Sequence, residues 1–300
     1  MKKIIVYASA VISIIFWGMS YIWSDELLRQ GIPVEYFLFI RILIAGVILL
    51  LVNLFLGISI RMQREDSLFF IVLAACEPMI YFFCETYGIK FTESPTYAAL
   101  IIACTPVVAA MAGVVFFKEN ISLLNRIGIL VCLAGLFMTS VCGERVGKYF
   151  ILGVVLLLIA VVAEVGHASC TKTLSDRYPP SVIVMYQFLI GSILMFPTFL
   201  SNGIVDFDPE VYLSWTVFRP ILFLAVLCSS LAFSLWAYAI KQLGVTRACI
   251  FLSMIPIVTA VGATILGQDA LGILQWCGIG IACAGLVATQ YTKKPAAVKQ

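Results

Sequence analysis

The chain has 300 residues and a formal net charge of +3, and 62% of its residues are hydrophobic while only 12% are charged. Soluble proteins carry about 25% charged residues, so this composition, with a mean hydropathy of +1.08, excludes an ordinary soluble protein. The small net charge also provides no basic surface for nucleic acid. The sequence therefore predicts an all-α membrane protein that lies in the lipid bilayer, since a spanning helix satisfies its own backbone hydrogen bonds.

Apolar segments long enough to cross a bilayer follow one another along the chain. A spanning helix needs about 20 apolar residues to cross a hydrocarbon core of about 30 Å. Charged or turn-forming residues separate the segments, as at Gly31-Ile32-Pro33. We predict ten transmembrane helices, near residues 4–24, 35–57, 67–88, 94–117, 123–142, 149–171, 180–201, 218–240, 246–267 and 270–291.

Lysine and arginine are distributed unequally between the two sides of these spans. With the N-terminus inside, thirteen of the 19 Lys and Arg residues fall on the cytoplasmic side, five fall outside, and Arg41 lies within a span. Cytoplasmic loops of membrane proteins are enriched in positive charge. The bias predicts a protein of the cell membrane, inner or plasma, with both termini in the cytoplasm.

The second half of the sequence repeats the first. At an offset of 150 residues, Pro106, Glu119, Gly128, Gly135 and Leu136 match Pro256, Asp269, Gly278, Gly285 and Leu286. Each half has five predicted spans, and because five is odd the two halves enter the membrane from opposite sides. We predict two inverted five-helix repeats, residues 1–145 and 146–292, followed by a cytoplasmic tail, 293–300. Such repeats are typical of transporters, in which one half rocks against the other around a central site.

Charged side chains inside the spans are the first candidates for that site, since a charge at the bilayer centre costs about 2.5–3.5 kcal/mol. Glu77, Tyr81 and Glu85 share one helical stripe of the third span, which should face inward. The depths of Arg41 and Glu85 permit an ion pair; a pair that only fixes helix packing and a role in binding are both open. Glu77 has no cation at its level, so we expect it to bind substrate or a proton, with an ordinary helix–helix hydrogen bond as the alternative.

Glu164 and His167 lie three residues apart on one face of the sixth span. An imidazole beside a carboxylate can relay protons near neutral pH, so protons are a candidate partner; a satisfied interhelical hydrogen bond is the alternative. Neither this Glu-x-x-His pair nor the ten cysteines have the spacing of a metal site, and we expect no metal and no cofactor. No nucleophile elbow or other reacting pair is recognisable, so we do not expect an enzyme.

Aromatic and proline residues complete the set of candidates. The aromatic residues that could form flat walls for an organic substrate are Trp17, Tyr21, Trp236 and Tyr238. Packing or anchoring at the membrane interface is the commoner role of such side chains. The repeated Pro106 and Pro256 are predicted to kink their helices beside the site, and a kink that serves packing alone is the alternative.

The ordered motifs resemble the drug/metabolite transporter superfamily and, within it, the EamA-type ten-helix transporters. The motifs that carry the resemblance are Phe16-Trp17-Gly18, residues 39–45, Tyr87-Gly88-Ile89-Lys90 with its copy Tyr238-Ala239-Ile240-Lys241, and the repeated proline and glycines. The resemblance implies a small-molecule substrate but no particular one, because such families carry amino acids, sugars, nucleobases and drugs.

Three buried acids against one arginine favour a neutral, zwitterionic or cationic metabolite such as an amino acid. We expect it to be exported by alternating access. The alternative is a membrane receptor or assembly protein that transports nothing.

Overall fold

A computed structural model describes residues 2–105, 107, 123–141, 148–205, 207–243 and 248–290. Within these ranges the regular elements are helices and none is a strand, which confirms the all-α prediction. In chain order the α-helices are α1 (Lys2–Arg29), α2 (Val34–Phe55), α3 (Ser67–Ala74), α4 (Tyr81–Thr92), α5 (Pro95–Ile102), α6 (Leu123–Val141), α7 (Phe150–Ser175), α8 (Pro180–Thr198), α9 (Pro209–Tyr212), α10 (Trp215–Phe223), α11 (Ala232–Leu243), α12 (Ile255–Ile265) and α13 (Ile273–Gln290).

Several of these helices join into segments long and apolar enough to cross a membrane. The six that meet this criterion within the described residues are Ile4–Arg29, Val34–Phe55, Arg64–Thr92, Phe150–Ser175, Pro180–Gly203 and Trp215–Leu243. Shorter apolar helices cover Arg126–Thr139, Ile255–Ile265 and Ile273–Ala288. A multi-pass membrane protein is therefore confirmed, and the count of ten spans stays a prediction. The candidate kink at Pro106 lies outside the described residues.

The outer surface of the helices is apolar. Phe55, Ile273 and Ile151 are 92%, 84% and 79% exposed. Such a surface is suited to lipid, which cannot hydrogen-bond to polar groups. Polar side chains lie inside instead and bond within the protein: the buried Ser13 Oγ donates a hydrogen bond to the Ala232 carbonyl over 2.8 Å.

Corresponding helices of the two halves run antiparallel where they meet. Near the end of α2, Asn53 Oδ1 accepts a hydrogen bond of 2.7 Å from Ser181 Oγ, at the start of α8. Toward the other end of the contact, the rings of Phe39 and Phe199 stack with centroids 4.3 Å apart. If each helix is replaced by its counterpart in the other half, the contact between α1 and α11 becomes the contact between α7 and α4. Both contacts are present. An inverted repeat produces this arrangement.

Helices α6 and α13 approach each other backbone to backbone through glycines of the repeat. A Cβ added at Gly135 would lie 2.3 Å from the Ala282 nitrogen, and one added at Gly285 would lie 2.3 Å from the Cys132 nitrogen. The offset of 150 maps Gly135 onto Gly285 and Cys132 onto Ala282, so the two contacts are copies of each other. Only glycine allows helices to come this close.

The third and eighth predicted spans change from α-helix to π-helix at matching positions, and the third is also broken at Glu77. Ala75–Ile80 and Leu224–Leu231 are π-helical segments, a rare form that frequently occurs at functional sites. Glu77 has φ −146° and ψ 123°, because Pro78 has no amide hydrogen and disfavours helical backbone in the residue before it. The predicted continuous stripe along the third span is therefore wrong at Glu77, although this side chain is buried as expected.

The segment before α3 is fastened to the turn between α7 and α8. Asp66 is buried and accepts hydrogen bonds from Arg177 Nη1 (2.5 Å) and from the Tyr178 hydroxyl (2.7 Å). The Tyr186 hydroxyl also donates to the Ile60 carbonyl over 2.5 Å. These bonds hold the first half of the chain to the second at one end of the bundle.

Candidate functional site

A cavity lies between the two halves, beside the break at Glu77. Its wall is formed by Trp17, Ser20, Tyr21, Arg41, Glu77, Tyr81, Phe82, Glu85, Ile102, Ala103, Thr105, Glu164, Phe233, Leu252 and Ile255. The structure thus brings together most of the residues predicted to bind substrate, from α1, α2, α4 and α7. The cavity volume of about 40 Å³ holds roughly three water molecules at ~10–15 Å³ each, so a metabolite can enter only after the helices move apart.

Arg41 supplies the positive charge of the cavity wall and is 2% exposed. Its Nε donates a hydrogen bond to Ser229 Oγ over 2.8 Å, and its guanidinium carbon lies 4.2 Å from the centroid of the Phe82 ring. Ser229 belongs to the π-helical segment Leu224–Leu231 of the eighth span. No residue in the described part of the chain accepts a hydrogen bond from the two Nη atoms of Arg41, which leaves these donors available to a ligand.

The predicted ion pair between Arg41 and Glu85 is not formed: among the ion pairs of the described residues, none joins the two. Glu85 instead accepts a hydrogen bond of 2.9 Å from the Tyr81 hydroxyl, one helical turn away. The Tyr21 hydroxyl lies 3.5 Å from that of Tyr81 and extends the polar row to α1. Each charge therefore has a neutral partner, and the two face the same cavity.

Glu77, Glu164 and His167 form a second polar group of the site. His167 Nδ1 lies 3.0 Å from Glu77 Oε2 and 3.5 Å from Glu164 Oε2. The expectation that Glu77 has no cation at its level is corrected: α7 packs antiparallel against the broken third span and places there the imidazole of His167, which carries a positive charge only when protonated. His167 itself is buried behind the two carboxylates that line the cavity.

The far side of the His167 ring is also held. Its Nε2 lies 3.3 Å from Gln187 Oε1 and 3.3 Å from Thr171 Oγ1. Gln187 comes from α8, so the ring is fixed between two helices of the second half. The alternative role of an interhelical hydrogen bond thus has a structural basis, and it leaves Nδ1 directed at the carboxylates.

The predicted aromatic residues divide into three environments. Trp17 and Tyr21 line the cavity, and Trp17 Nε1 donates to the Cys228 carbonyl over 3.1 Å. Trp236 is buried one layer behind, with its ring 5.2 Å from that of Trp17. Tyr238 lies elsewhere, in a shallow groove that Lys241 also lines.

Pro256 lies in the first turn of α12, directly after the 3₁₀ segment Cys249–Met254. The ninth span is therefore broken just before this proline, and the helix that follows is not kinked by it, because a first-turn proline removes no intrahelical hydrogen bond. Ile255 lines the cavity, so the break is beside the site. A functional role for the break stays a prediction.

Sequence reasoning missed several residues of the site. Phe82 and Phe233 are aromatic wall residues in apolar runs that contain many aromatic side chains, so no local pattern marks them. Ser229 and Gln187 are polar residues within predicted spans, and their polarity indicates that they face the interior of the protein and not lipid. Pro78, next to Glu77, was the signal for the break.

The sequence profile of the EamA-like transporter family matches residues 4–141 and, a second time, residues 151–290. The chain belongs to the EamA-like transporter family. The two matches cover most of the chain, so this EamA-like protein is a membrane transporter that carries two copies of one unit.

Relatives along most of the EamA-like chain are named as transporters. The uncharacterized transporter YetK of Bacillus subtilis (strain 168) is 22% identical over 298 residues, which are 98% of this chain and 89% of that protein. An uncharacterized transporter of Archaeoglobus fulgidus is 24% identical, over 95% of this chain and 98% of its own. A probable terminal-alkyne amino-acid exporter of Streptantibioticus cattleyicolor is 27% identical, over 63% of this chain and 62% of its own. A solved crystal structure shares the fold, with a TM-score of 0.67 and 17% identity over 95% of this chain and 94% of the other.

Proposed function

We propose that this transporter exports a small zwitterionic metabolite, such as an amino acid or a related compound, by alternating access. The observation that carries the proposal is the presence of opposite charges in one cavity. The two Nη atoms of Arg41 have no acceptor among the described residues, and a guanidinium binds a carboxylate through two parallel hydrogen bonds. Glu85, Glu77 and Glu164 line the same cavity and attract an ammonium group.

The apolar part of the wall supports an organic cargo. Trp17, Phe82 and Phe233 line the cavity beside the charged groups, and small-molecule sites are mostly apolar with a few placed polar groups. The Trp17 and Phe233 rings pack edge to face with centroids 4.9 Å apart, so this wall is preorganised. A sugar phosphate fits less well, because three carboxylates repel it.

Alternating access follows from the proposed ten-helix inverted-repeat architecture. The antiparallel α2–α8 contact and the matching π-helical segments in the third and eighth spans support two inverted halves. Because the cavity is narrow, the halves have to move apart to admit cargo. Asp269, after α12, accepts hydrogen bonds from Ser94 Oγ (3.0 Å) and the Thr96 nitrogen (3.2 Å), so one end of the bundle is fastened at the start of α5.

Export and membrane orientation each have a support of their own. The positive-inside bias supports cytoplasmic termini in the cell membrane. One relative is named an exporter, and this supports outward transport. Proton exchange with the cargo stays a prediction from the sequence.

Efflux from proteoliposomes tests the proposal. Vesicles containing the purified protein are loaded with a mixture of amino acids, polyamines, sugars and nucleobases, and the external medium is analysed by mass spectrometry. We expect amino acids to leave faster than from protein-free vesicles, while sugars and nucleobases stay inside. Protease protection of the C-terminus measures which way the protein is oriented in each vesicle preparation. Comparison of preparations with opposite orientation distinguishes export from import.

Two substitutions provide the matched comparison. Arg41→Gln removes the proposed carboxylate ligand, and the loss of a charged hydrogen bond of ~1.5–3 kcal/mol should slow amino-acid efflux about 10- to 100-fold. Tyr238→Phe is the control, because Tyr238 lies outside the cavity, and this substitution should leave efflux unchanged. If only polyamines leave the vesicles, and Arg41→Gln does not slow them, the cargo is a cation and not a zwitterion. If every compound stays inside, the proposal is rejected.

A further inference from the structure

Glu77, Glu164 and His167 present three metal-ligand atoms to one point in the wall of the cavity. These atoms all lie within 4.8 Å of one another. The Nδ1 atom of His167 is 3.0 Å from Glu77 Oε2 and 3.5 Å from Glu164 Oε2. A tetrahedral Zn²⁺ ion with bonds of ~2.0–2.2 Å holds its ligand atoms roughly 3.3–3.6 Å apart. Small side-chain movements would therefore bring the three atoms to ligand spacing.

Two of the three atoms lack a hydrogen bond. Glu77 and His167 are 2% and 3% exposed, and Glu77 Oε2 and His167 Nδ1, although only 3.0 Å apart, form no hydrogen bond with each other or with another described residue. Buried polar atoms without a partner are rare in folded proteins, and each requires an explanation such as an ion. Both atoms point into the same space, so one bound cation would satisfy them together.

The outer contacts of His167 match those of a metal-binding histidine. A ligating imidazole usually donates its other N–H to an oxygen, which sets the tautomer and the orientation of the ring. Here Nε2 lies 3.3 Å from Gln187 Oε1 and 3.3 Å from Thr171 Oγ1. With the hydrogen on Nε2, the lone pair of Nδ1 is directed at the two carboxylates.

We propose that Glu77, Glu164 and His167 bind a divalent transition-metal ion, for which Zn²⁺ is the probe. One imidazole nitrogen with carboxylate oxygens suits Zn²⁺ better than Mg²⁺ or Ca²⁺, which prefer all-oxygen sites. Two carboxylates within membrane-spanning helices, of which Glu77 is buried and Glu164 partly buried, are costly, and a divalent ion neutralises them. Because Glu77 and Glu164 line the cavity, the fourth coordination position is open to it. The inference goes beyond the proposed function: with an ion held by Glu77 and Glu164, Glu85 is the carboxylate that attracts the ammonium group of the cargo.

Equilibrium binding to the tag-free protein in nanodiscs tests the inference. Calorimetry with Zn²⁺ should give one ion per chain, and excess Mg²⁺ should not displace it. Glu77→Gln, Glu164→Gln and His167→Gln each remove a ligand and should weaken binding by more than 100-fold. Gln187→Leu removes an outer hydrogen bond and should weaken it by about 10- to 100-fold. Glu85→Gln is the matched control: it removes a carboxylate of the same cavity that is not a ligand, so only the longer-range attraction is lost and binding should weaken by less than about 10-fold.

Size-exclusion profiles establish which variants fold. X-ray absorption of the wild-type protein with Zn²⁺ identifies the ligand atoms directly and does not require any variant to fold. Nitrogen and oxygen ligands with imidazole scattering support the site. Sulfur ligands, no stoichiometric binding, or equal losses in Glu85→Gln and Glu77→Gln would overturn it. Efflux without zinc binding rejects this inference alone, whereas zinc binding without efflux rejects the proposed cargo alone.

Discussion

The glycine contact between α6 and α13 gives a stability prediction that tests the repeat itself. In Gly285→Ala the new Cβ would lie 2.3 Å from the Cys132 nitrogen and 2.7 Å from the Gly128 carbonyl oxygen. Contacts between carbon atoms are normally ~3.5–4.0 Å. Both neighbours are backbone atoms, so the two helices have to move apart. Such overpacking costs about 1–3 kcal/mol, from which the better helix propensity of alanine recovers up to about 1 kcal/mol.

Gly280 provides the control in the same helix, because a Cβ there meets nothing within 4 Å. Gly280→Ala should therefore be neutral or stabilise by up to about 1 kcal/mol, which leaves a difference of about 1–3 kcal/mol between the two variants. Gly135→Ala, the repeat counterpart, should cost about as much as Gly285→Ala. The double variant should cost less than the sum, since a single separation of the helices relieves both clashes.

Denaturation of the purified variants in mixed detergent micelles, monitored by circular dichroism, measures these differences. Equal midpoints for Gly285→Ala and Gly280→Ala would show that the close approach is absent. Clearly unequal effects of Gly135→Ala and Gly285→Ala would refute the two-fold symmetry of the contact.

Three further predictions concern the charges and the topology. Arg41 and Glu85 have separate neutral partners but are opposite charges in one cavity, so the double variant Arg41→Gln with Glu85→Gln should lose about 0.5–3 kcal/mol less stability than the sum of the single losses; strictly additive losses in thermal unfolding would show that the two charges do not interact. Asp66→Asn should lower the unfolding free energy by about 1.5–3 kcal/mol, because a charged acceptor of two hydrogen bonds is lost, and an unchanged midpoint would contradict this. Reporter fusions after Arg64 should be cytoplasmic and those after Asp208 external, as the charge bias predicts; the same side for both would reject the inverted topology.

The class of protein and much of its site could be predicted from properties that extend along the chain. The length of the apolar segments and the 150-residue offset between matching residues can both be read directly along the sequence. They predicted a helical membrane protein with a duplicated sequence. A charge in a membrane span must avoid lipid, and this rule alone placed Arg41, Glu77, Glu85 and Glu164 on the inner surface, where the structure has them. The rule concerns burial, however, and says nothing of which residue a charge meets.

The partners of those charges depend on tertiary structure. Arg41 bonds to Ser229, 188 residues away, and the carboxylate of Glu77 meets His167 because the chain breaks at Pro78 and α7 packs antiparallel against the break. Trp236 and Tyr238 are close in sequence but about 200° apart around a helix of 3.6 residues per turn, so one packs behind the cavity and the other faces a separate groove. The sequence by itself determined which side chains lie inside. The packing of the two halves decided which of them meet, since a contact between distant residues requires that both helices have a specific rotation and depth.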